Sequence, residues 1–401
     1  MTVLHMKVSP APALRDPAAR NAVREPLFTN PEPERVLGGE RRPQLAGMGL
    51  KPSARQCFGP RGAALLPDGS LWIADTGHHR LLGWRAIPDE DGAPADWLIG
   101  QPDFDREGRN AHGMPGPVTL NVPTGICACG EEGLAVADAW NHRVLIWRKA
   151  PRHSHQPADL VLGQPDFTTT SPNRDRAHAC AEGLNWPYGV AWTEGQLFVA
   201  DSQNRRVLVW HGLPKDNGQP ADLVLGQRDF SCRDENAGGE PSAVSMRWPH
   251  AITLWRGRLC VADAGNNRIM VWNGLPNRDG APCDHVLGQA DFALVDHNQS
   301  LYWPRATSLN MPYAVSATGD WLVVADTANS RLLGWHIDDL ATGASARRLA
   351  GQPDFHEKGD NRWQPPAPDS FCWPYGLATL GDQILVADSG NNRASLWRLA
   401  P

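Results

Sequence analysis

Short apolar runs recur along the whole chain, each closed at both ends by Gly, Pro, Asn or Asp. Runs of this length bounded by turn residues predict β-strands rather than helices. One stretch shows four in succession: Pro187-Tyr-Gly-Val-Ala-Trp192, Leu197-Phe-Val-Ala-Asp201, Arg206-Val-Leu-Val-Trp210 and Asp222-Leu-Val-Leu-Gly226. The residues between them tolerate the backbone angles of tight turns. The same set returns through the chain, marked by a strand that ends in Asp, a turn, and a strand that starts with Arg. The turn copies are Asp75-Thr-Gly-His-His-Arg80, Asp138-Ala-Trp-Asn-His-Arg143, Asp201-Ser-Gln-Asn-Arg-Arg206, Asp263-Ala-Gly-Asn-Asn-Arg268, Asp326-Thr-Ala-Asn-Ser-Arg331 and Asp388-Ser-Gly-Asn-Asn-Arg393. Successive Asp residues are 63, 63, 62, 63 and 62 positions apart, and a Trp follows each Arg by four (Trp84, Trp147, Trp210, Trp272, Trp335, Trp397). A four-stranded unit repeated in this register predicts an all-β, six-bladed β-propeller with four antiparallel strands per blade.

The two ends predict how the ring closes. The sixth unit stops at Trp397, four residues before the end, and has no fourth strand. The orphan strand Arg35-Val-Leu-Gly-Gly39 precedes the first unit. The N-terminal strand is therefore expected to complete the last blade, which removes an exposed edge. Residues 1–34, rich in Pro, Ala and Arg, are expected to form an extended arm, and residues 35–401 the propeller. On this reading, deleting 35–39 costs more stability than deleting 1–30.

Each unit adds a long loop after its fourth strand. It begins Gly-Gln-x-Asp-Phe and carries an Asn six residues after the Phe: Phe104 with Asn110, Phe167 with Asn173, Phe230 with Asn236, Phe292 with Asn298 and Phe355 with Asn361. The N-terminal copy lacks the motif, with Gly39 in place of the Gln. Strand alternation puts these loops on the same face as the Asp-to-Arg turns, here called the upper face. A motif copied in nearly every blade is expected to be architectural, because chemistry needs a residue once. The same argument assigns the Asp and Arg residues to the turns and the six Trp to the space between blades. Each such Trp buries roughly 150–250 Å², worth ~4–6 kcal/mol as an upper bound.

Composition narrows the function. Seventeen Trp against four Tyr and nine Phe reflects a repeated Trp position, and 35 Pro with 39 Gly reflects turns. A net charge of −6 offers no basic face for nucleic acid. No apolar run reaches the ~20 residues of a membrane span, and the first ten residues lack a secretory apolar core. The eight Cys form no CxxC pair, which suits reduced thiols and a cytoplasmic location. No phosphate loop, dinucleotide glycine pattern or Gly-x-Ser-x-Gly elbow occurs, so no cofactor is expected.

The repeat resembles the NHL-repeat family, in a long-loop variant. Pro187-Tyr-Gly-Val-Ala191, Val199-Ala-Asp201 and Asp263-Ala-Gly-Asn-Asn-Arg268 carry the resemblance, which spans about residues 35–401. It implies the propeller fold. It implies no single activity, since such propellers include protein- and RNA-binding modules, receptor-kinase sensor domains, a peptide-amidating lyase and lactonase-type hydrolases. Proteins that look like this long-loop type can occur beside uptake-hydrogenase genes, which makes an accessory role in metalloenzyme assembly one expectation.

Function is sought where the copies differ. After the Pro that opens each innermost strand stand Arg61, Thr124, Tyr188, His250, Tyr313 and Tyr375; before it stand Gly59, Val122, Trp186, Trp248, Met311 and Trp373. These positions should ring the upper mouth of the central channel, as an aromatic and polar binding rim. The alternative for them is plain packing of loop on blade. Only His250 of the histidines falls in the rim; His78, His79 and His142 lie in turns of different blades, too spread for one zinc ion. Cys57, Cys180, Cys232 and Cys372 fall in or beside the long loops and are the thiol candidates for a metal. The sequence thus favours a soluble scaffold for a protein or peptide partner, with a small-molecule ligand as a further option. The alternative function is a metal-assisted hydrolase or lyase in the channel.

Overall fold

The computed structural model describes residues 25–43 and 51–401. Each predicted unit forms one antiparallel sheet. In the third blade the strands Pro187–Thr193, Gln196–Asp201, Arg206–Trp210 and Leu223–Leu225 lie side by side in that order, from the axis outwards. The innermost strands of neighbouring blades touch in a closed cycle, and the sixth, Pro374–Leu380, meets the first, Gly62–Leu65. Six sheets result, and among the described residues no α-helix occurs, only single 3-10 turns. Among the described residues no helix is long and apolar enough to cross a membrane.

The strand Arg35–Leu37 pairs antiparallel with Arg393–Arg398, Arg35 opposite Leu396, as the outer strand of the sixth blade. The chain before it is also built in. Glu25–Pro26 runs parallel to Arg348–Ala350 as a fifth strand on the fifth blade. Phe28 then bridges to Leu399 and stacks on Trp397 with ring centroids 4.4 Å apart. Leu27 and Phe28 are both buried. Residues 25–39 therefore clasp two blades. Of the extended arm expected for residues 1–34, the part from residue 25 onwards thus lies across the fifth and sixth blades; residues 1–24 lie outside the described residues.

The core lies between blades rather than within them. Trp147, for example, sits in a buried cluster with Trp72, Leu81 and Ile99 of the first blade and Leu134, Val136 and Leu145 of its own. Five of the six register Trp donate from Nε1 to a carbonyl nine residues on, as Trp210 does to Gln219 at 3.0 Å. Trp397, where the chain ends, uses the Ser395 hydroxyl instead.

The Asp and Arg rings are fully buried and serve the backbone. Arg206 donates from Nε to Asp201 at 2.8 Å, to the Phe230 carbonyl, and to the Cys180 and Gly183 carbonyls. The other Asp201 oxygen accepts the Asn185 N–H at 2.7 Å. Each Arg thus ties its turn to the long loops on either side; in the sixth blade Arg393 takes the Arg41 carbonyl in place of the missing Phe. Burial of an ion pair is costly unless every donor finds an acceptor, and this geometry supplies them.

The loop Asn residues are the second tie. Asn173 adopts φ +51, a left-handed conformation that Asn tolerates. Its amide exchanges two hydrogen bonds with Asn204 in the turn of the next blade, at 3.1 and 2.7 Å. Equivalent amide contacts join Asn110 to Asn141, Asn236 to Asn266, Asn298 to Asn329 and Asn361 to Asn391. In the first blade the turn position is His78, which binds Asp75 at 2.9 Å. That is the blade whose preceding loop lacks the Asn.

Candidate functional site

The first residues of the innermost strands place the ring. A register shift follows the Pro in the second to sixth blades, between Pro187 and Gly189 in the third. A bulge of this kind re-aims the unpaired residue, here Tyr188, toward the axis. The Gly that follows is required by contact: a Cβ on Gly189 would lie 2.1 Å from the His250 carbonyl oxygen of the next blade.

The structure brings the six residues after the Pro together, but not as an open rim. Tyr188 packs on His250 with centroids 4.3 Å apart, His250 on Tyr313 at 4.4 Å, and Tyr313 on Tyr375 at 4.6 Å. Arg61 closes the cycle, with its guanidinium 4.8 Å from the Tyr375 ring and hydrogen-bonded to the Tyr188 hydroxyl. Arg61 reaches across the second blade because that position is Thr124, whose short side chain is buried and donates to the Tyr188 carbonyl at 2.8 Å. The ring residues fill the mouth and leave a cavity of about 70 Å³ at their own level. Beyond the ring the channel continues as a cavity of about 260 Å³, walled by Ala63, Cys127, Thr193, Thr253, Ser316 and Thr379.

Burial sets the protonation of this ring. It pushes His250 down to about 4, with Arg61 acting in the same direction against the hydrogen bond to the Trp248 carbonyl. Burial and the neighbouring Tyr375 and Tyr188 phenols hold Tyr313 well above the usual tyrosine range. Tyr375 is raised by burial, against the pull of Arg61. At neutral pH the His250 imidazole is therefore neutral and the Tyr313 and Tyr375 phenols are protonated, beside the Arg61 guanidinium.

The residues before the Pro form a second tier. Gly59, Val122, Trp186, Met311 and Trp373 all have φ between +51 and +57, a strained choice for non-glycine residues. What holds them is the preceding blade. Its last turn residue accepts the N–H: His79 Nδ1 from Val122 at 3.0 Å, His142 Nδ1 from Trp186 at 3.1 Å, Asn267 from Met311, Ser330 from Trp373 and Asn392 from Gly59. In the fourth blade the turn residue before it is Arg205, which has no acceptor. There the Trp248 N–H turns to Asp263 at 3.2 Å, and Trp248 is not in the left-handed region. His79 and His142 are thus blade-to-blade linkers. Burial pushes both down to about 4, with Arg109 adding to the effect at His79.

Of the three Trp expected in the rim, Trp186 and Trp248 are half exposed, and Trp373 stacks on Tyr375 at 6.3 Å and donates to Asp360. Sequence reasoning missed Trp140, which lies parallel to Trp186 with centroids 6.1 Å apart and under the Arg109 guanidinium. Its signal was present: the other five turns carry Gly, Gln or Ala where Trp140 stands. Trp363, Tyr302 and Met114 on the long loops were also missed. Among the described residues, ten of the eleven exposed large apolar side chains belong to the loops and turns of this face, the exception being Leu380.

The thiol candidates do not meet. Cys57 is buried beside Gly38, Cys372 lies against Gly390, Cys180 against Gly183, and Cys232 against Asp229. Burial raises Cys57 strongly and pushes Cys372 up to about 12, so both are held as thiols. Among the described residues no three His, Cys, Asp or Glu side chains converge as a metal site.

Residues 59–84, which include the inner three strands of the first blade, match the model of the NHL repeat. No curated protein matches the sequence. Several solved structures are similar in fold. A protein of unknown function from Bacteroides thetaiotaomicron is 12% identical, with 92% of this chain and 75% of that one covered and a TM-score of 0.50. A gluconolactonase from Xanthomonas campestris is 12% identical over 93% of this chain and 100% of that one, with a TM-score of 0.48. Virginiamycin B lyase from Staphylococcus aureus is 10% identical over 87% of each chain, with a TM-score of 0.42.

Proposed function

Since this chain is an NHL-repeat β-propeller, a fold whose activity is set by its surfaces, we propose that it is a scaffold binding a protein or peptide partner on its upper face. One observation carries this reading: ten of the eleven exposed large apolar side chains among the described residues gather on that face. Scattered surface apolar residues need no explanation, whereas a gathered set marks an interaction surface. Trp is also the residue type most enriched at energetic centres of interfaces. The parallel pair Trp140 and Trp186, with Trp248 on the next blade, supplies such anchors. Assembly of a metalloenzyme such as a hydrogenase is one use of a scaffold of this kind.

The test is co-purification from cells that carry the native gene. The partner is expected on the wild-type protein and lost from the triple variant Trp140→Ser, Trp186→Ser, Trp248→Ser. These side chains are half exposed, so melting should change little. A partner retained by a triple variant that melts normally would remove the upper face from the assignment.

A further inference from the structure

Arg61 is the one fully charged member of the central ring, and no carboxylate of the described residues pairs with it. The six turn arginines each sit on a buried carboxylate, as Arg80 does on Asp75 at 2.7 Å. Arg61 has only aromatic company among the described residues: one hydrogen bond to the Tyr188 hydroxyl, and the rings of Tyr188 and Tyr375 at 5.9 and 4.8 Å. Ring faces and one phenol replace only part of a guanidinium's hydration. Its remaining N–H donors have no protein acceptor among these residues. Beside it, the Tyr313 hydroxyl lies 3.8 Å from the Met311 sulfur, a weak acceptor, and shares a hydrogen bond with the Tyr375 hydroxyl. The constellation is half-buried, sits at the axis, and opens on the face that gathers the exposed Trp residues.

We propose that Arg61, with the hydroxyls of Tyr188, Tyr313 and Tyr375, is a carboxylate receptor. It takes an Asp or Glu side chain, or a free C-terminus, from the peptide that the upper face binds; in this the inference rests on the scaffold reading. The planar guanidinium fork matches a carboxylate in two-point contact. The receptor holds a single positive charge among neutral donors, so it is matched to a monoanion and under-charged for a phosphate dianion. The cavity of about 70 Å³ that the ring lines has room for a carboxylate head, being roughly two waters at ~30 Å³ each. Trp186 and Trp248 stand two residues before the ring members Tyr188 and His250, with Trp140 stacked on Trp186, and would hold the apolar residues next to the acid.

Two measurements test this and separate it from the scaffold reading. In the first, the Arg61 Nε–H resonance is followed in protein labelled with 15N-arginine and identified by its loss in Arg61→Lys. N-acetylglutamate is expected to shift it and N-acetylglutamine not to. Equal responses, no response, or a stronger response to inorganic phosphate would overturn the carboxylate receptor. In the second, an immobilised random-peptide array with free and amidated C-termini is probed with wild-type protein, Arg61→Gln and Arg61→Lys. Bound peptides are expected to share an acidic residue or a free C-terminus. Binding should fall roughly tenfold or more in Arg61→Gln and less in Arg61→Lys. Peptides that bind without an acid, equally in all three proteins, would sink the receptor and leave the scaffold standing. A resonance shift with no peptide bound would do the reverse. Arg61→Lys keeps the charge, so it reads the fork even where Arg61→Gln folds poorly.

Discussion

Two concentric rings share the upper face and are built on opposite principles. The outer ring repeats: Asp, Arg and Asn occur in the same places blade after blade, and almost every polar atom binds backbone or an identical partner, as Arg206 and Asn204 do. The inner ring holds four residue types in six positions, and its side chains bind each other: Arg61 to Tyr188, Tyr188 to His250, His250 to Tyr313 and Tyr313 to Tyr375. Backbone geometry is common to all blades, so residues that serve it are copied. At the axis six side chains must share one mouth, here one Arg, one Thr, one His and three Tyr, so one residue copied six times would not pack. Six Arg there would repel, and six Tyr would crowd.

The comparison breaks most visibly in the outer ring. Arg206→Ala removes the partner of Asp201 and orphans the Phe230, Cys180 and Gly183 carbonyls. Breaking a buried pair from one side costs about 3–5 kcal/mol. A large drop in urea midpoint is expected, or failure to accumulate folded protein. A cost near that of a surface substitution would show that the outer ring is not what joins loop to blade.

The N-terminal clasp comes next. Phe28→Ala removes a buried ring stacked on Trp397 and should cost ~3 kcal/mol. A melt within error of wild type would show that residues 25–28 only rest on the fifth and sixth blades. Phe28 belongs to no repeat, and this explains what was legible in the sequence. Strand count, blade count, the Trp between blades and the Arg35 strand all follow from periodicity, which one sequence displays six times over. Residues 25–34 have no second copy to reveal them, and their apolar content is two residues deep, so the chain read as an arm. The ring was legible as a set of positions, because divergence at a fixed register is itself a pattern. That the set packs into a plug was not, since stacking depends on bulges and on Thr124 making room for Arg61. Trp140 was legible and overlooked: it breaks a turn that is otherwise small or polar.

A pH titration sharpens the contrast between blades. His79 and His142 replace the Asn that serves as linker at Asn267 and Asn392, and burial holds both His near 4 in the folded protein. The unfolded chain titrates near ~6.5. A depressed folded value means that the unfolded state binds more protons between these limits. Their contribution is therefore complete above pH ~6.5 and is lost as pH falls toward 4. With allowance for partial exposure this amounts to on the order of 1–2 kcal/mol for each His. His250 loses stability over the same window. The double variant His79→Asn, His142→Asn should keep the linker bonds and melt with a flatter profile between pH 7 and 4.5. An unchanged slope would assign the acid sensitivity to groups other than the two linkers.

The smallest effect on stability belongs to the inner ring. Tyr313→Phe removes a hydroxyl that meets the Met311 sulfur and the half-buried Tyr375 hydroxyl, and keeps the stacking on His250 and Tyr375. A thioether loses little when its donor goes, and one net phenol–phenol hydrogen bond is worth about 1 kcal/mol, so melting should move by no more than about that. The contrast with Arg206→Ala is that no backbone carbonyl is orphaned. If the outer ring holds the fold and the inner ring meets the partner, this variant should weaken acidic-peptide binding while the melt stays put. Arg206→Ala should show the opposite order, with stability lost first and binding lost only as the protein unfolds. A Tyr313→Phe protein that melts as far below wild type as Arg206→Ala would erase the distinction between the two rings.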